Sequence, residues 1–485
     1  MLSIINRRSC KGQYLWVLVS IIWMVSATSA QTTFSGQIVI TNQAYSARSV
    51  FSADLDGDGD NDVLSASVSD DKIAWYENTD GLGSFGPQQI ITTSTDNAVS
   101  VFSADLDGDE DNDVLSASYL DDKIAWYENT DGLGSFGPQQ IISTVADGAR
   151  SVFSIDLDGD GDNDVLSASR LDDKIAWYEN TDGLGGFGPQ QVITDSAFGA
   201  FSVFSADLDG DGDNDVLSAS VDDWKIAWYE NTDALGNFGP QRVINGDANY
   251  ACSVFSADLD RDGDLDVLSA SAGDDSIAWY MNIDGLGSFS YPRIISANAE
   301  YVSGVFSADL DDDGDNDVIA AATSGMEVTW YENDGWGNFG PAQIIMESPS
   351  GGAYSVYSTD LDGDGDNDVL SAGGNIIAWY RNELYTSVSP GEHHQSTPEK
   401  YALHQNYPNP FNPLTTISYN IPVQGIVTVN IYNVLGQKTA ELVNGLVNAG
   451  QHQLTWNASD VPSGVYFVQL SGGDYQQIRK VVLLR

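Results

Sequence analysis

The sequence predicts an all-β fold: a seven-bladed β-propeller with four-stranded blades, followed by a small immunoglobulin-like β-sandwich. Three observations predict it. A unit opening on Ser-Val-Phe-Ser-Ala-Asp-Leu-Asp recurs with a step of 51 residues, its first loop aspartate falling at Asp54, Asp105, Asp156, Asp207, Asp258, Asp309 and Asp360. Each unit holds four strand-like runs and no 3.6-residue periodicity. The last unit lacks its fourth run, and a matching run precedes the first unit.

In the first unit the runs are Ser49 to Ala53, Val63 to Ser67, Lys72 to Glu77 and Pro87 to Thr92. They are rich in Val, Ile, Phe, Trp and Tyr and are separated by Asp/Gly-rich turns, the ordinary chemistry of strands and their connections. The displaced run is Phe34 to Ile40, one step before Phe85 to Ile91. An N-terminal strand that completes the last blade pairs both exposed sheet edges. A string of separate modules has no reason to split one unit across its two ends.

Every unit carries the loop Asp-x-Asp-x-Asp-x-x-x-Asp. Calcium is a hard cation that takes six to eight oxygens, and carboxylates at loop positions 1, 3 and 5 supply three of them, with a backbone carbonyl at position 7. The candidate ligand sets are Asp54, Asp56, Asp58, Asp60 and Asp62; Asp105, Asp107, Asp109, Asp111 and Asp113; Asp156, Asp158, Asp160, Asp162 and Asp164; and Asp207, Asp209, Asp211, Asp213 and Asp215. The later loops give Asp258, Asp260, Asp262, Asp264 and Asp266; Asp309, Asp311, Asp313, Asp315 and Asp317; and Asp360, Asp362, Asp364, Asp366 and Asp368. These are not EF-hands: position 12 is Ser65 rather than Glu in the first loop, strands flank it, and Asp62 at position 9 takes the closing role. Two carboxylates ~4 Å apart repel by about 1 kcal/mol even in water, so seven such turns call for up to seven calcium ions. Position 6 is Gly59 or its equivalent, which allows φ > 0. The second loop has Glu110 there, at a cost of roughly 1 kcal/mol, and is expected to be the weakest site.

The Asp loop and the run Phe85-Gly86-Pro87 resemble the FG-GAP/VCBS repeat propellers over residues 34 to about 384. That resemblance implies blades carrying calcium loops of this form, as in the integrin α-subunit propeller. Its functional implication is broad, since such propellers serve adhesion, lectin-like binding and sometimes catalysis.

Four segments are expected: a signal peptide at 1–30, the propeller at 31–385, a linker at 386–399 and a C-terminal domain at 400–485. Arg7, Arg8 and Lys11 precede an apolar stretch from Tyr14 to Val25 and the small residues Ala27-Thr28-Ser29-Ala30, the layout of a cleaved export signal. The stretch is shorter than the ~20 residues a spanning helix needs, so no transmembrane segment is expected in the mature chain. Cys10 leaves with that signal, and Cys252 alone cannot form an internal disulfide. Metal is therefore expected to be structural.

After the linker, Gly425 to Tyr432 alternates cleanly, and Leu454 to Trp456, Val465 to Leu470 and Gln476 to Leu484 give further strands. The stretches Leu403 to Pro413, Ile431-Tyr432-Asn433-Val434-Leu435-Gly436, Gly464-Val465-Tyr466-Phe467 and Lys480-Val481-Val482 resemble the C-terminal sorting domain of type IX secretion. This resemblance implies a Bacteroidota-like organism, the secretion machinery as partner, and a secreted or cell-surface destination.

Acidic residues outnumber basic ones 71 to 19, for a net charge of -52, which disfavours nucleic acid and anionic lipid as partners. A monomer is expected. Residues 31–385 contain no His, which removes His-based triads, His zinc sites and His general bases. The expectation is a non-enzyme that binds glycan or protein. The alternatives are a polysaccharide lyase or hydrolase, with Arg150, Arg170 and Arg242 as basic candidates, and a structural spacer. The recurring Trp75, Trp126, Trp177, Trp228, Trp279, Trp330 and Trp379 read as packing between blades rather than as sugar-stacking rings. Trp224 and Trp336 break the repeat inside turns and are the aromatic ligand candidates.

Overall fold

The computed structural model describes residues 32–347, 352–384, 400–403, 411, 413–422, 425–447, 450–458, 461–472 and 475–483. The export-signal and linker expectations lie outside these residues. Among the described residues there is no helix, and so none long and apolar enough to cross a membrane. The chain divides into two compact units, Met1–Thr386 and Ser387–Arg485.

The first unit holds seven four-stranded antiparallel sheets. The strand β1 (Ile38–Thr41) precedes the first of them, which comprises β2 (Ala47–Ala53), β3 (Asp62–Ser67), β4 (Lys72–Tyr76) and β5 (Gln89–Thr92) in simple meander order. Burial is greatest in the second strand of the blade, partial in the innermost and least in the outermost. All six residues of β3 are buried, because neighbouring sheets cover both its faces, and its Ser and Ala side chains let those sheets approach. The edge strand β5 exposes Ile90.

The core lies between blades rather than within them. Leu55, Leu64, Ile73 and Trp75 of the first blade pack with Ala98, Val101, Val114 and Tyr127 of the second. The same set recurs where last meets first: Leu361, Leu370, Ile377 and Trp379 pack with Ala47, Val50, Val63 and Tyr76. The N-terminal strand β1 pairs with Ile376–Tyr380 (Ile38 opposite Trp379), and Phe34 bridges Asn382. Along the innermost strands Phe51, Phe102, Phe153, Phe204, Phe255, Phe306 and Tyr357 touch in sequence at 4.7–4.8 Å, and Tyr357 returns to Phe51 at 4.8 Å.

Each repeat tryptophan is 1–3% exposed and packs edge-on against a Phe of the next blade, as Trp75 does on Phe136 at 6.3 Å. The third turn passes flat over the same indole at Gly134, where φ is +78° and a Cβ would overlap the Trp75 ring. Replacing Gly134 by Ala combines left-handed strain of ~1 kcal/mol with ~1–3 kcal/mol of overpacking. The expected loss of about 2–4 kcal/mol is read by urea denaturation; a loss below ~0.5 kcal/mol would show that the turn simply moves aside.

The second unit has two antiparallel sheets around one core. Ala402–Leu403, Leu414–Ile421 and Gly450–Asn457 form one; Lys438–Val447, Gly425–Asn433, Gly464–Gly472 and Tyr475–Leu483, in that order, form the other. Ile417 and Trp456 from the first sheet meet Val427, Ile431 and Val468 from the second.

Candidate metal centres

The Asp loop leaves the innermost strand and is folded by its own side chains. In the first loop the Asp54 carboxylate accepts the N–H groups of Gly57 (2.8 Å) and Gly59 (3.1 Å), and Asp58 accepts that of Asp60 (3.0 Å). Such Asx-type bonds curl the backbone and gather the carboxylates on one side. In five loops three carboxylates bring oxygens within 4.8 Å of one another: Asp54, Asp56 and Asp58; Asp105, Asp107 and Asp113; Asp156, Asp158 and Asp164; Asp207, Asp209 and Asp215; Asp258, Asp260 and Asp262. Positions 1 and 3 thus recur in every one of these groups, joined by position 5 or position 9.

Position 7 behaves differently. The carboxylates of Asp60, Asp111, Asp162 and Asp264 lie against the third-turn glycines Gly81, Gly132, Gly183 and Gly285. Their side chains belong to none of the five groups above.

Position 9 has a second task. Asp62 is buried, and its two oxygens accept the N–H groups of Leu55 (3.0 Å) and Asn78 (2.7 Å), tying the loop to the far end of β4. The same pair of bonds recurs in all seven blades, as at Asp113 and Asp368. Burial pushes these carboxyls up to about 7 in the first five blades and about 8 in the last two. At position 3, burial and then the neighbouring Asp109 charge raise Asp107 to about 6. A bound cation opposes both causes.

The chemistry of the donor set fits a cation. Asp107, Asp209, Asp258 and Asp260 each keep a buried carboxylate oxygen with no hydrogen-bond partner. Buried polar atoms are rarely left so, and a ring of hard anionic oxygens is what a hard divalent ion requires.

The sequence reading missed what holds the loops in place. Asn129, buried, donates from Nδ2 to the Leu55 carbonyl of the preceding blade (2.9 Å) and accepts the Gly134 N–H on Oδ1 (3.2 Å). Asn112 donates to the Asp54 carbonyl (2.8 Å). Each loop is therefore clamped by the next blade, so the candidate metal sites and the blade interfaces are mechanically one feature. The signal was available: Asn fills the Asn78 column in all seven units.

Left-handed backbone at non-glycine residues is not confined to the second loop. Glu110 sits at φ +73°, where the equivalent glycines lie at +88° to +101°. Position 4 is left-handed too, and Arg261 (φ +61°) and Asp312 (φ +55°) occupy it in the fifth and sixth loops. Replacing Glu110 by Gly is expected to stabilise by about 1 kcal/mol, measured by melting in calcium; an unchanged melting point would mean that the loop carries no strain there. Arginines also reach two loops: Arg261 pairs with Asp315 of the next blade, and Arg381 with Asp362.

Of the basic candidates, Arg150 and Arg170 line one cavity, whereas Arg242 lies on an outermost strand, paired with Glu230 over the Trp228 ring. The turn residues Trp224 and Trp336 are 48% and 75% exposed. Trp224 adopts φ +61° where Asp71, Asp122, Asp173 and Asp275 accept a backbone N–H of the following blade, a bond an indole cannot make.

No curated protein matches the chain. Among solved structures, BBS1N in complex with ARL6DN is similar, at 13% identity, covering 74% of this chain and 98% of that one with a TM-score of 0.52. An Agrocybe aegerita lectin described for specific recognition of non-reducing terminal N-acetylglucosamine is 21% identical, covering 68% and 86%, with a TM-score of 0.48. PorZ, a surface component of the type IX secretion system of Porphyromonas gingivalis, is 14% identical, covering 92% of this chain and 60% of its own, with a TM-score of 0.45. Residues 405–484 match the secretion system C-terminal sorting domain, which implies interaction with the secretion machinery and an exported or cell-surface protein of a Bacteroidota-like bacterium. Residues 54–116, 105–167, 156–218, 207–269, 258–320 and 309–371 each match the FG-GAP-like repeat. The chain belongs to the FG-GAP-like repeat family and carries a type IX sorting domain.

Proposed function

We propose that the protein is a calcium-supported binding module, exported through its sorting domain and displayed on or released from the cell surface, where the propeller engages a glycan or protein ligand. The observation that carries the calcium reading is the set of clamped loops with buried, partnerless carboxylate oxygens. Positions 1, 3, 5 and 9 would hold the ion with their side chains and position 7 with its carbonyl. The ion would supply charge neutralisation and rigidity. The chain's own residues do the rest: Asp62 and its equivalents orient the loop, and Asn78 and its equivalents transmit that order to the neighbouring blade.

Binding rather than catalysis is the reading supported by the absence of His from residues 31–385 and by the fixed employment of most basic groups. Lys72, Lys123, Lys174 and Lys225 each pair with the Asp two residues earlier at 2.7–2.8 Å. Calorimetric titration with calcium, followed by a glycan and protein array with the loaded chain, tests both halves. Absence of calcium uptake removes the first half. An array without a single hit leaves a structural spacer in place of the second.

A further inference from the structure

The blades are near-copies, so the positions where they diverge carry information. In the innermost strand Ala47 faces Ser67 and Ser49 faces Ala66, which leaves Arg48 as the extra residue of a β-bulge. The same slip occurs at Val99, Arg150, Phe201, Cys252 and Ser303. A bulge re-aims a side chain and is common beside ligand sites. Here all six extra residues line one cavity of about 550 Å³ at the axis, at the end of the innermost strands away from the Asp loops. The frame around the bulge is repeated (Val50 is Val in every unit), while the bulged residue is Arg twice and otherwise different each time.

The variation has a chemical bias. Arg48 and Arg150, joined by Arg170 from a neighbouring turn, line the cavity, and no Asp or Glu does, in a chain of net charge -52. Arg48 lies over the Tyr354 ring at 3.9 Å and Arg150 over Phe201 at 4.1 Å. Neither forms an ion pair among the described residues, and Arg170 meets only Asp222, at 4.0 Å. Burial, then the charges of Arg48 and Arg170, hold Arg150 down at about 10. Three like charges converge, and among the described residues the one ion-pair partner they meet is Asp222, 4.0 Å from Arg170.

The rest of the wall suits a hydroxylated ring. Phe201, Tyr250 and Tyr301 follow one another at 6.2 Å spacings. Ser49 Oγ accepts the N–H of Val101 in the next blade at 3.3 Å, and five equivalent serines do likewise at 3.3–3.4 Å. Each such hydroxyl keeps its own proton to donate. A guanidinium stacked on an aromatic face still presents its edge N–H groups to an oxyanion.

We propose that this axial pocket binds an anionic saccharide residue, a sugar ring bearing a carboxylate or sulfate, with Arg48, Arg150 and Arg170 holding the anion and the Phe201–Tyr250–Tyr301 arc meeting the ring. The proposal rests on the binding-module reading and names its ligand class. The acidic surface slows the approach of an anion, but salt screens that field over ~8 Å at physiological ionic strength, and within the cavity the three arginines are the nearest charges. The volume lies inside the ~300–1,000 Å³ typical of ligand pockets.

Calorimetry on the full chain in millimolar calcium tests it with four probes: digalacturonate, the same disaccharide reduced to its neutral hexose form, a sulfated galactose disaccharide, and inorganic sulfate. At least one anionic disaccharide is expected to bind ~10-fold or more tighter than the neutral one and than inorganic sulfate, and which of the two does so identifies the acidic group. Arg150→Gln and Arg48→Gln are each expected to weaken it ~10-fold at an unchanged melting temperature, and Arg242→Gln, outside the cavity, to leave it unaltered. Equal affinity for the neutral sugar, binding by sulfate alone, or full affinity in folded Arg150→Gln overturns the proposal. Array hits on neutral glycans that survive Arg150→Gln would sink the pocket while leaving the binding-module reading intact; a blank array sinks both.

Discussion

In chelator near neutral pH the propeller is expected to melt about 10–15 °C below its temperature in millimolar calcium. Extracellular calcium modules bind with Kd of about 10⁻⁴–10⁻³ M. At roughly ten times Kd each filled site adds ~1.4 kcal/mol to the folded state, and seven sites add ~10 kcal/mol. A unit of this size unfolds with an entropy near ~0.7 kcal/mol per kelvin, which converts the sum to the stated shift. The clamps make the effect collective: a loop that loosens at Asp54 or Leu55 releases Asn112 and Asn129 of the next blade. Differential scanning calorimetry with EGTA and calcium add-back reads it. Magnesium, which insists on a tighter octahedron, is expected to restore little. A shift under ~3 °C would mean that the loops hold together without metal.

Much of this architecture was legible because a 51-residue repeat shows each strand seven times over. The strand runs at Ser49 to Ala53 and Val63 to Ser67 and the displaced run Phe34 to Ile40 each match what the backbone does. In the second unit three strands escaped the reading, one of them only the two residues Ala402–Leu403. Lys438–Val447 is an outer strand whose pairing slips twice against Gly425–Asn433, so its polar and apolar residues lose strict alternation. Leu414–Ile421 does alternate, with Thr415, Ile417, Tyr419 and Ile421 buried, but two of those four buried residues are threonine or tyrosine and Pro413 precedes the strand.

The Asp loops were legible as candidate metal sites because their chemistry is local, five aspartates in nine residues. The clamp and the axial cavity were not, because neither is local. Asn129 acts on a carbonyl 74 residues earlier in the chain. Arg48, Arg150 and Phe201 share a cavity only because a bulge breaks the period-two rule that a strand reading assumes. Comparing the repeats column by column, rather than seeking what they share, exposes that position.

Replacing Asp113 by Ala is expected to cost about 3–5 kcal/mol, the largest effect of any single loop residue, and to do so with or without calcium. The side chain is fully buried, and its removal strands the N–H groups of Leu106 and Asn129, which it accepts at 3.0 and 2.7 Å. Each orphaned buried donor costs ~1–3 kcal/mol, and bonds to a charged acceptor lie at the upper end. Asn129 is also the residue that grips the first blade, so the damage reaches the interface. Asp109 in the same loop is exposed and accepts only the Asp111 N–H at 3.0 Å. Its replacement by Ala should cost under ~1 kcal/mol in chelator and show its main loss only when calcium is present. Melting both variants in both conditions separates a carboxylate that builds the loop from one that serves the ion. Equal losses for Asp109→Ala in chelator and in calcium would mean that position 5 is structural, and the metal reading in this loop would then rest on Asp105, Asp107 and Asp113.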